Sequence, residues 1–511
     1  MNSVQQQLRR AGELLAIGDF VTAGSIFESL VESNPDCAEA HYGLSLTAAS
    51  NQKIGRAAIH AENATNLNPV EIRYLEHRAG LFLRLDRRTD ALETHLKIVE
   101  LNPLAIRSLC VAGLIYDSIC QFDEAIDSFS HALKVSPHDI ESTIGLGFAF
   151  LHKDQPRDAE KYFRKAIEIG EESFRSYSGL ALSLLGNGAL DDAIRYFGHA
   201  EEAFLKSVRL PSPNTKLKFS RILHEKEQLD FLSLKGLLAN EHHQYYENLK
   251  TLISKFAYLH RPGENVSVTC TADEILGITP MFKKIIYKSD GSRVDGTSIN
   301  PNLDVERIQS DYHGSTPAII FIDDFLTDEA LTKLYEYCIT SNIFKKGYGA
   351  GYVGSMLAEG FASPLLLQIS EELRLRFPKI FGNSRLTQAW AYKYDSKFKG
   401  IRTHADAAKI NVNFWISPDE GNLNPDSGGL IVWDKVSPDD WSFADYNKND
   451  EKMQDFLRSS GANEIKVPFR QNRALIFNSG LFHRTDDITF KDEYVNRRIN
   501  VTLLYGMGLR S

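Results

Sequence analysis

The sequence predicts a multidomain α + β protein, in which an all-α superhelix of repeats precedes a double-stranded β-helix, a jelly-roll type of barrel. Two observations predict this division. Proline and alanine recur at a fixed interval of 34 residues through the first part of the 511-residue chain. From about residue 265, short extended runs replace the helical pattern. We therefore expect a repeat array at 1–207, a helical linker at 208–264 and a β-rich domain at 265–511.

Composition restricts the function classes. The chain carries 58 Lys and Arg against 67 Asp and Glu, which gives a formal net charge of −9 and a pI near 6.0. A nucleic-acid-binding body would normally show a basic excess, so nucleic acid is not an expected partner. The N-terminus has no apolar signal region, no run reaches eighteen apolar residues, and the five cysteines form no C-x-x-C pair. We expect a cytoplasmic protein with reduced thiols and no membrane span.

The repeat is defined by residues that recur in phase. Pro stands at 35, 69, 103 and 137, and Ala stands at 23, 57, 91, 125, 159 and 193. A small residue precedes each of these alanines by twelve positions, and Phe often follows by four. Small residues allow two helices to cross closely, an aromatic ring fills the gap between them, and proline ends the second helix. No single unit buries its apolar face, so the units must stack.

This helical period resembles the tetratricopeptide repeat. The resemblance implies six units, at 4–37, 38–71, 72–105, 106–139, 140–173 and 174–207. It also implies a superhelix with a concave groove. We expect this groove to hold a peptide or a partner protein, and the alternative is an array that only spaces or dimerises the chain. The groove-facing helices carry a mixed set of basic, aromatic and histidine side chains, so no carboxylate clamp is predicted.

The later segments have different patterns. Leu217–Leu259 predicts two further helices with an apolar stripe. Beyond it, Ala318–Ile322 predicts a strand, Thr327 can cap the following helix, and a second helix is expected at Ser363–Arg376. Five more strands are predicted, at Thr387–Tyr394, Lys409–Ile416, Gly429–Trp433, Ala474–Asn478 and Arg498–Tyr505. A helix pair followed by five or more strands fits a double-stranded β-helix.

A metal site is predicted at His404-Ala-Asp406. Residues i and i+2 of an extended segment point to the same side, so His404 and Asp406 can converge on one ion. Of the other histidines after residue 260, His313 is expected in a polar surface loop. His483 follows a buried strand and a Gly turn, where a third ligand would face back across the barrel. Two histidines and one carboxylate form the facial triad typical of non-haem Fe(II).

An anion site is predicted on the last strand, where Arg498, Asn500 and Thr502 share one face. A charged residue at the start of an otherwise apolar inner strand is costly without a counter-charge. A dicarboxylate ligand bound bidentately by the arginine would supply that charge. The neighbouring Arg497 would take this place if the register moved by one residue, but parity with Asn500 and Thr502 favours Arg498.

The order Tyr…His-X-Asp…Gly-Gly…His…Arg-X-X-X-Thr over 318–508 resembles the Fe(II)- and 2-oxoglutarate-dependent oxygenases, above all their prolyl-hydroxylase-like branch. The resemblance implies that His404, Asp406 and His483 are the catalytic ligands of Fe(II). It implies that Arg498 pairs with the distal carboxylate of 2-oxoglutarate. Further cosubstrate contacts are implied for Tyr394, Thr502, Asn413 and the strand start Gly428–Gly429.

The sequence departs from the family pattern between its motifs. The gap from His483 to Arg498 is longer than the family's, so the loop 484–496 is expected to be extended. The polar insert 437–464 is either a lid over the substrate or a surface loop. Lys435 stands near the cosubstrate lysine of demethylase-like relatives, although the presence of Arg498 disfavours that role.

The resemblance also implies a reaction. 2-Oxoglutarate and O2 take the open positions of the metal, and decarboxylation to succinate and CO2 is coupled to oxidation of a nearby C–H bond. We expect a hydroxylase of a protein or peptide side chain that the repeats recruit. One alternative is an oxygenase of a small molecule whose repeats serve assembly. The other is an interaction scaffold whose barrel binds metal or 2-oxoglutarate without turnover.

Overall fold

The computed structural model describes residues 3–259, 264–395, 398, 400–438 and 441–507. Residues 260–263 of the predicted linker, 396, 397 and 399 before the predicted metal site, and 439–440 of the predicted insert lie outside these ranges. The chain divides into two compact units, residues 1–149 and 150–511. The division falls inside the fifth predicted repeat, so the last repeat helices belong to the same unit as the β-rich domain.

Each predicted repeat folds as two helices. They are α1 Ser3–Ala16, α2 Phe20–Ser33, α3 Ala38–Ser50, α4 Ile54–Leu67, α5 Ile72–Arg84, α6 Arg88–Leu101, α7 Ile106–Ser118, α8 Phe122–Val135, α9 Ile140–His152, α10 Pro156–Glu168, α11 Phe174–Gly186 and α12 Leu190–Ser207. None of the described helices combines the length and the apolar composition that crossing a bilayer requires.

The residues that recur in phase occupy the positions that the repeat requires. The alanines at 23, 57, 91, 125, 159 and 193 are all 0% exposed, so they lie where the helices approach most closely. The helices that precede the prolines end at residues 33, 67, 101 and 135, one cap residue before each proline. The prediction of a helical repeat array is confirmed.

The predicted linker is part of a small folded core. Its elements are β1 Lys216–Lys218, α13 Phe219–Leu234 and α14 His243–Phe256, and they are followed by β2 Ser267–Thr269, α15 Ala272–Gly277 and α16 Pro280–Lys283. Strand β1 pairs antiparallel with β2. Apolar side chains of α13 and α14, such as Leu229 and Leu249, pack with Ile275 and Met281. Residues on both sides of the predicted boundary at 264 therefore share one hydrophobic core.

Helix α13 is also joined to the β-rich domain by polar contacts. The amide of Gln228 donates to the carbonyl oxygen of Ile339 at 2.7 Å, and the hydroxyl of Tyr494 donates to Gln228 Oε1 at 2.6 Å. The guanidinium of Arg497 forms an ion pair with Glu227, with 3.0 Å between Nε and Oε2. These side chains are largely buried, so their hydrogen bonds fix the helix to the domain.

The β-rich domain contains the predicted helices and strands, with ends displaced by a few residues at most. In chain order its elements are α17 Val305–Gly314, β3 Ile319–Ile322, α18 Asp328–Thr340, β4 Lys346–Gly347, β5 Tyr352–Met356, α19 Pro364–Arg376, α20 Pro378–Phe381, β6 Leu386–Tyr394, β7 Ile410–Trp415, β8 Leu430–Val436, α21 Phe443–Asn447, α22 Asp450–Ser459, β9 Glu464–Val467, β10 Ala474–Asn478, β11 Leu481–Thr485 and β12 Ile499–Tyr505. Thr327 caps α18, as predicted, by accepting a hydrogen bond from the amide of Ala330.

The strands form two antiparallel sheets. The larger has seven strands in the order β3-β10-β7-β12-β6-β5-β4, and the smaller has three in the order β11-β8-β9. Side chains from both sheets share one hydrophobic core; Trp415 and Leu475 come from the larger sheet, and Val432 and Leu481 come from the smaller. From β6 onward the chain passes repeatedly between the sheets, so residues distant in sequence face each other across the interior.

Helix α17 was not predicted from the sequence. His313 was expected in a surface loop, but it lies in the last turn of α17, and its Nε2 is 2.9 Å from the carbonyl oxygen of Lys379. Asp304 caps this helix, and Val305, Ile308 and Tyr312 give it only two turns of apolar spacing. So short a periodic signal is easily taken for a loop.

Candidate metal centre and the adjoining cavity

Three predicted ligands converge in the interior of the β-rich domain. The ligand atoms of His404, Asp406 and His483 all lie within 4.8 Å of one another. Nε2 of His404 is 3.9 Å from Asp406 Oδ1, and Nε2 of His483 is 3.4 Å from Asp406 Oδ2. Among the described residues, no other group of three His, Cys, Asp or Glu side chains comes together in this way.

Backbone pairing holds the cluster together. His404 and His483 form an antiparallel bridge, in which each amide donates to the other's carbonyl oxygen at 3.0 and 2.8 Å. The amide of Asp406 donates to the carbonyl oxygen of Ser479 at 3.1 Å. The segment that carries the His-X-Asp motif is therefore docked beside β11, and the side chains at 404 and 406 share a side as the two-residue period predicts.

Both imidazoles are oriented by their second nitrogen. Nδ1 of His404 lies 2.8 Å from the carbonyl oxygen of Arg402, and Nδ1 of His483 lies 3.0 Å from that of Leu481. A carbonyl can only accept, so Nδ1 carries the proton in each ring and Nε2 presents a lone pair to the cluster. Burial lowers the pKa of His404 to about 4, with His483 adding to the shift and Asp406 opposing it. His404 is thus neutral at physiological pH, the state that a metal ligand needs.

The carboxylate of Asp406 is held by a strand of the larger sheet. Asn411 Nδ2 on β7 donates to Asp406 Oδ2 at 2.8 Å. Such hydrogen bonds from outside the ligand set orient a ligating carboxylate. Neither the motif nor its spacing indicated this contact, because it depends on how β7 lies against the segment before it.

A cavity of about 630 Å³ extends from the cluster along the inner face of the larger sheet. Alternate residues of β6 line it with Gln388, Trp390, Tyr392 and Tyr394. Alternate residues of β12 line it with Asn500, Thr502 and Leu504, and Arg498 lines it immediately before that strand. Strand β7 contributes Asn411 and Asn413. The structure therefore brings the three predicted metal ligands and the four predicted cosubstrate residues to one cavity.

Arg498 is almost completely buried at the end of this cavity, with 1% of its surface exposed. Its Nε donates to the carbonyl oxygen of Gly428 at 2.5 Å, and Nη2 donates to that of Gly429 at 3.2 Å. Nη1 donates to Asn500 Oδ1 at 3.3 Å, and the guanidinium lies 4.7 Å from the ring centre of Tyr394. These partners position the guanidinium but bring no carboxylate to it.

The neighbouring Arg497 points away from the cavity. Besides its ion pair with Glu227, its Nη2 is 3.4 Å from Asp395 Oδ2. The two arginines are adjacent in the stretch that leads into β12, and their side chains point to different sides of the chain. The structure places Arg498 in the cavity and Arg497 outside it, as the parity with Asn500 and Thr502 predicted.

The Gly-Gly pair brings backbone carbonyls to Arg498. A Cβ on Gly429 would lie 1.9 Å from the carbonyl oxygen of Val467 on β9, so no other residue fits there without displacing backbone. Gly428 has φ +84°, a conformation that favours glycine. The close approach of β8 to β9 thus depends on these two residues.

The remaining predicted contacts form a polar group at the centre of the cavity. Thr502 Oγ1 accepts from Asn413 Nδ2 at 2.9 Å and from Asn500 Nδ2 at 3.2 Å. Tyr394 is 2% exposed, and burial raises the pKa of its hydroxyl while Arg498 opposes that shift. The phenol therefore stays protonated and can donate a hydrogen bond.

Three buried polar atoms near this group have no hydrogen-bond partner among the described residues. They are Oδ1 of Asn411, Oδ1 of Asn413 and Nε1 of Trp415. Buried polar groups in folded proteins are nearly always satisfied, so a set of orphans beside a cavity indicates a ligand or ordered water. Trp415 Nε1 and the guanidinium of Arg498 are donors that an anion can accept from, whereas the two amide oxygens need a donor such as a water molecule.

The insert 437–464 forms one wall of the cavity. Its helices α21 and α22 pack beside β8, and Phe443 and Asn447 line the cavity. The amide of Ala405 donates to the carbonyl oxygen of Tyr446 at 3.1 Å, and Gln454 Nε2 donates to Thr403 Oγ1 at 3.1 Å. The insert therefore contacts the segment that carries His404 and Asp406. Lys435, in contrast, does not line the cavity, and its Nζ lies 3.6 Å from Oδ1 of Asp434.

An aromatic wall opposite the insert was missed from the sequence. Tyr352 on β5 pairs with Tyr394, and Tyr348 stacks on Tyr352 with 4.5 Å between ring centres. Gly354 pairs with Tyr392, and its missing side chain leaves space for that ring, because a Cβ would lie 2.6 Å from Tyr392 Cε1. The alternate aromatic residues of β6 were the available signal, whereas the β4–β5 hairpin is too short and Gly-rich to be recognised.

Comparison with known proteins identifies the repeats. Family models of the tetratricopeptide repeat match residues 8–69 and 149–207, and residues 106–139. These segments are tetratricopeptide repeats, as the 34-residue period predicted. No curated protein matches the chain.

Solved structures similar to the chain cover about a third of it. A MamA protein is 19% identical over 34% of this chain and 98% of its own, with a TM-score of 0.32. MamA from Desulfovibrio magneticus RS-1 is 20% identical over 33% of this chain and 96% of its own, with a TM-score of 0.30. YrrB, described as a TPR protein with an unusual peptide-binding site, is 13% identical over 35% of this chain and 91% of its own, with a TM-score of 0.32.

Proposed function

We propose that this protein is an Fe(II)- and 2-oxoglutarate-dependent oxygenase that hydroxylates a protein or peptide side chain recruited by its tetratricopeptide repeats. One observation carries the proposal. Two histidines and an aspartate converge within 4.8 Å beside a cavity whose end holds the buried guanidinium of Arg498.

The strand order supports a double-stranded β-helix. After β6 in the larger sheet, the chain passes to the segment of His404, which bridges to His483 in the smaller sheet, and then returns to β7. It then forms β8 and β9 in the smaller sheet, β10 in the larger, β11 in the smaller and β12 in the larger. Two antiparallel sheets built by such alternation are the architecture of a jelly roll.

The donor set fits a divalent iron ion. Two imidazoles and one carboxylate are the donor set that non-haem Fe(II) oxygenases use to hold their metal. The fixed Nδ1 protons of His404 and His483 and the hydrogen bond from Asn411 to Asp406 orient all three ligands before the metal binds.

The cavity fits a dicarboxylate. A guanidinium has five N–H donors, and three of those on Arg498 are used by Gly428, Gly429 and Asn500. The terminal nitrogens of Arg498 have N–H donors beyond these three bonds, and a guanidinium can donate two such bonds to one carboxylate. The hydroxyls of Tyr394 and Thr502, which can donate hydrogen bonds, lie in the same cavity.

The residues of the chain would divide the work as follows. When bound, iron and 2-oxoglutarate supply the oxidation: one atom of O2 enters succinate as CO2 leaves, and the other enters the product as a hydroxyl group. Arg498 and Tyr394 hold the distal carboxylate and set the direction of the cosubstrate. The aromatic wall and the insert line the space in which the reacting C–H bond would lie.

The test is succinate formation by the full chain. Anaerobically purified protein loaded with Fe(II) is expected to convert 2-oxoglutarate to succinate on exposure to O2, slowly without substrate. Asp406→Ala and His483→Ala should abolish this turnover and weaken Mn(II) binding measured by calorimetry, because each removes a ligand. His313→Ala is the matched control, since this histidine lies on α17 outside the cavity. A wild-type protein that binds Fe(II) and 2-oxoglutarate yet never forms succinate would refute the enzymatic proposal.

A further inference from the structure

Arg402 places a second guanidinium at the cavity, on the same strand-like segment as the metal ligands. We infer that the substrate of this site carries a carboxylate, and that Arg402 is the residue that selects it. This inference rests on the proposed oxygenase function, because it concerns what is bound beside the metal and 2-oxoglutarate.

The position of Arg402 follows from the geometry of the segment. Residues 402, 404 and 406 alternate with 403 and 405, so Arg402 shares a side with the ligands. Thr403 accepts from Gln454, and Ala405 packs in the core of the insert, so the opposite side is occupied. The carbonyl oxygen of Arg402 also contacts His404 Nδ1, which fixes its backbone relative to the metal centre.

The side chain of Arg402 has no partner within the part of the chain that the structure describes. It lines the cavity and is exposed, and no described residue gives its guanidinium a hydrogen bond or an ion pair. Some other arginines of this domain form ion pairs, for example Arg473 with Asp323 at 2.5 Å and Arg374 with Glu371 at 2.8 Å. The chain has a net charge of −9, so it offers many acidic groups with which a guanidinium could pair. A guanidinium that lines a cavity without such a partner favours the binding of an anionic ligand.

The charges of the cavity favour an anion. Asp406 is the single carboxylate among its described lining residues, and it belongs to the metal centre. A substrate with an ammonium or guanidinium group would meet two arginines and a divalent ion without an acidic partner. A carboxylate would instead form a charge-assisted hydrogen bond with Arg402, while the aromatic wall takes the uncharged part of the substrate.

Two sources could supply the carboxylate. It could belong to an acidic residue next to the target side chain of a peptide, or to a small organic acid. In both cases it must lie within reach of one arginine side chain that leaves the backbone two residues before His404. The oxidised carbon and the carboxylate are therefore close neighbours in the substrate.

Binding by the full chain tests the inference without turnover. The protein is saturated with Mn(II) and 2-oxoglutarate, so that Arg498 is already occupied, and is dialysed against two blocked-peptide libraries that differ only in Glu or Gln beside a randomised residue. A second arm uses a panel of small carboxylic acids and their amides. Retained compounds are counted by mass spectrometry.

We expect carboxylate members to be retained about tenfold or more over their amides, the effect of one charge-assisted hydrogen bond. Arg402→Gln should reduce this preference to near unity, and Arg402→Glu should reverse it. Arg484→Gln should leave it unchanged, because Arg484 lies beside His483 but contacts Trp433 and does not line the cavity. Preference confined to one arm identifies the source of the carboxylate.

Equal retention of acids and amides by the wild type, including no retention of either, would overturn the inference. So would a preference that survives in Arg402→Gln. Failure of the oxygenase proposal is recognised separately, since it appears as absence of succinate from the Fe(II)-loaded wild type whatever the libraries show.

Discussion

Two adjacent arginines immediately before β12 show how much a single residue position decides. Arg498 ends in the cavity, whereas Arg497 pairs with Glu227 on α13 and with Asp395. The alternation of Arg498, Asn500 and Thr502 was enough to choose between them from the sequence, because a strand has a fixed two-residue period. The partners of Arg497 could not be predicted, since Glu227 is 270 residues away in the chain.

Replacing Arg498 by Met should abolish cosubstrate anchoring. Truncating one partner of a buried charge pair costs about 2–5 kcal/mol, so the Kd for 2-oxoglutarate should rise by at least about 30-fold. Calorimetric titration of the Mn(II)-loaded protein measures this change. Arg497→Met is the matched control and should lower stability while leaving affinity unchanged. Equal loss of affinity in both variants would contradict the assignment.

Lys393 makes stability depend on pH. It is completely buried, its Nζ donates to the carbonyl oxygen of Cys338 at 3.0 Å and to Tyr494 Oη at 2.7 Å, and burial lowers its pKa from 10.5 to about 7. Between these two values the unfolded chain binds a proton that the folded chain has released. The contribution of Lys393 to stability is therefore lost as pH falls toward 7 and rises with pH above it.

The Lys393→Met variant should lack this dependence. Relative to it, the free energy of unfolding of the wild type should rise by up to about 1.4 kcal/mol per pH unit between about pH 7 and about pH 10. Urea titrations followed by near-ultraviolet circular dichroism measure the difference. Parallel pH profiles for the two proteins would show that the lysine is charged in the folded state.

At the scale of elements, the helices and strands with a long or strong hydrophobic pattern were predicted, and those with a short or polar sequence were missed. The repeats have a long periodic sequence, and each predicted unit contains two helices. Strand β10 has a strongly apolar sequence, and its ends are the predicted ones. The insert gave no such signal, because its two helices are short and polar; it acquires a defined place only by packing against β8 and the segment of Ala405. Tertiary contacts decided its structure.

Gly429→Ala tests whether the start of β8 is as tightly packed as the geometry indicates. The new methyl group would overlap the carbonyl oxygen of Val467, so β8 and β9 must separate, and the cost should be about 1–3 kcal/mol or more. The carbonyl oxygens that hold Arg498 would move with them, so 2-oxoglutarate affinity should fall as well. Gly314→Ala is the control, because nothing lies within 4 Å of a Cβ there. Unchanged stability of Gly429→Ala would show that the strands are loosely paired.

At the scale of the molecule, the boundary between the two compact units, at residues 149 and 150, does not coincide with the end of the repeats at residue 207. The sequence period continues to residue 207, but the last helices pack with the β-rich domain, where Arg293 forms an ion pair with Asp191 at 2.7 Å and Lys288 pairs with Glu201. The linker likewise shares its core with residues beyond 264. The 34-residue period of the sequence reveals the repeats. The boundaries of the repeats and the linker with the β-rich domain depend on contacts between distant segments, which no local sequence pattern indicates.

Truncation should therefore have different effects at different points. Removing residues 1–139 should leave metal binding and substrate-free succinate formation near wild type, while lowering kcat/KM for a protein substrate that the repeats recruit. Removing residues 1–207 should in addition destabilise the β-rich domain, because Lys288, Arg293 and α19 lose their contacts with the deleted helix α12. Thermal melting and succinate assays measure both. Equal turnover of protein substrate without residues 1–139 would count against recruitment.

The four tryptophans of the chain are at 390, 415, 433 and 441, all within the β-rich domain. Trp390 lines the cavity, and the ring centre of Trp415 lies 5.7 Å from the guanidinium carbon of Arg498. Indole fluorescence of the intact protein is therefore an internal probe of this one site, with the repeats optically silent. Occupation by metal, cosubstrate or substrate can be followed as quenching, without a label and without separating the domain from its repeats.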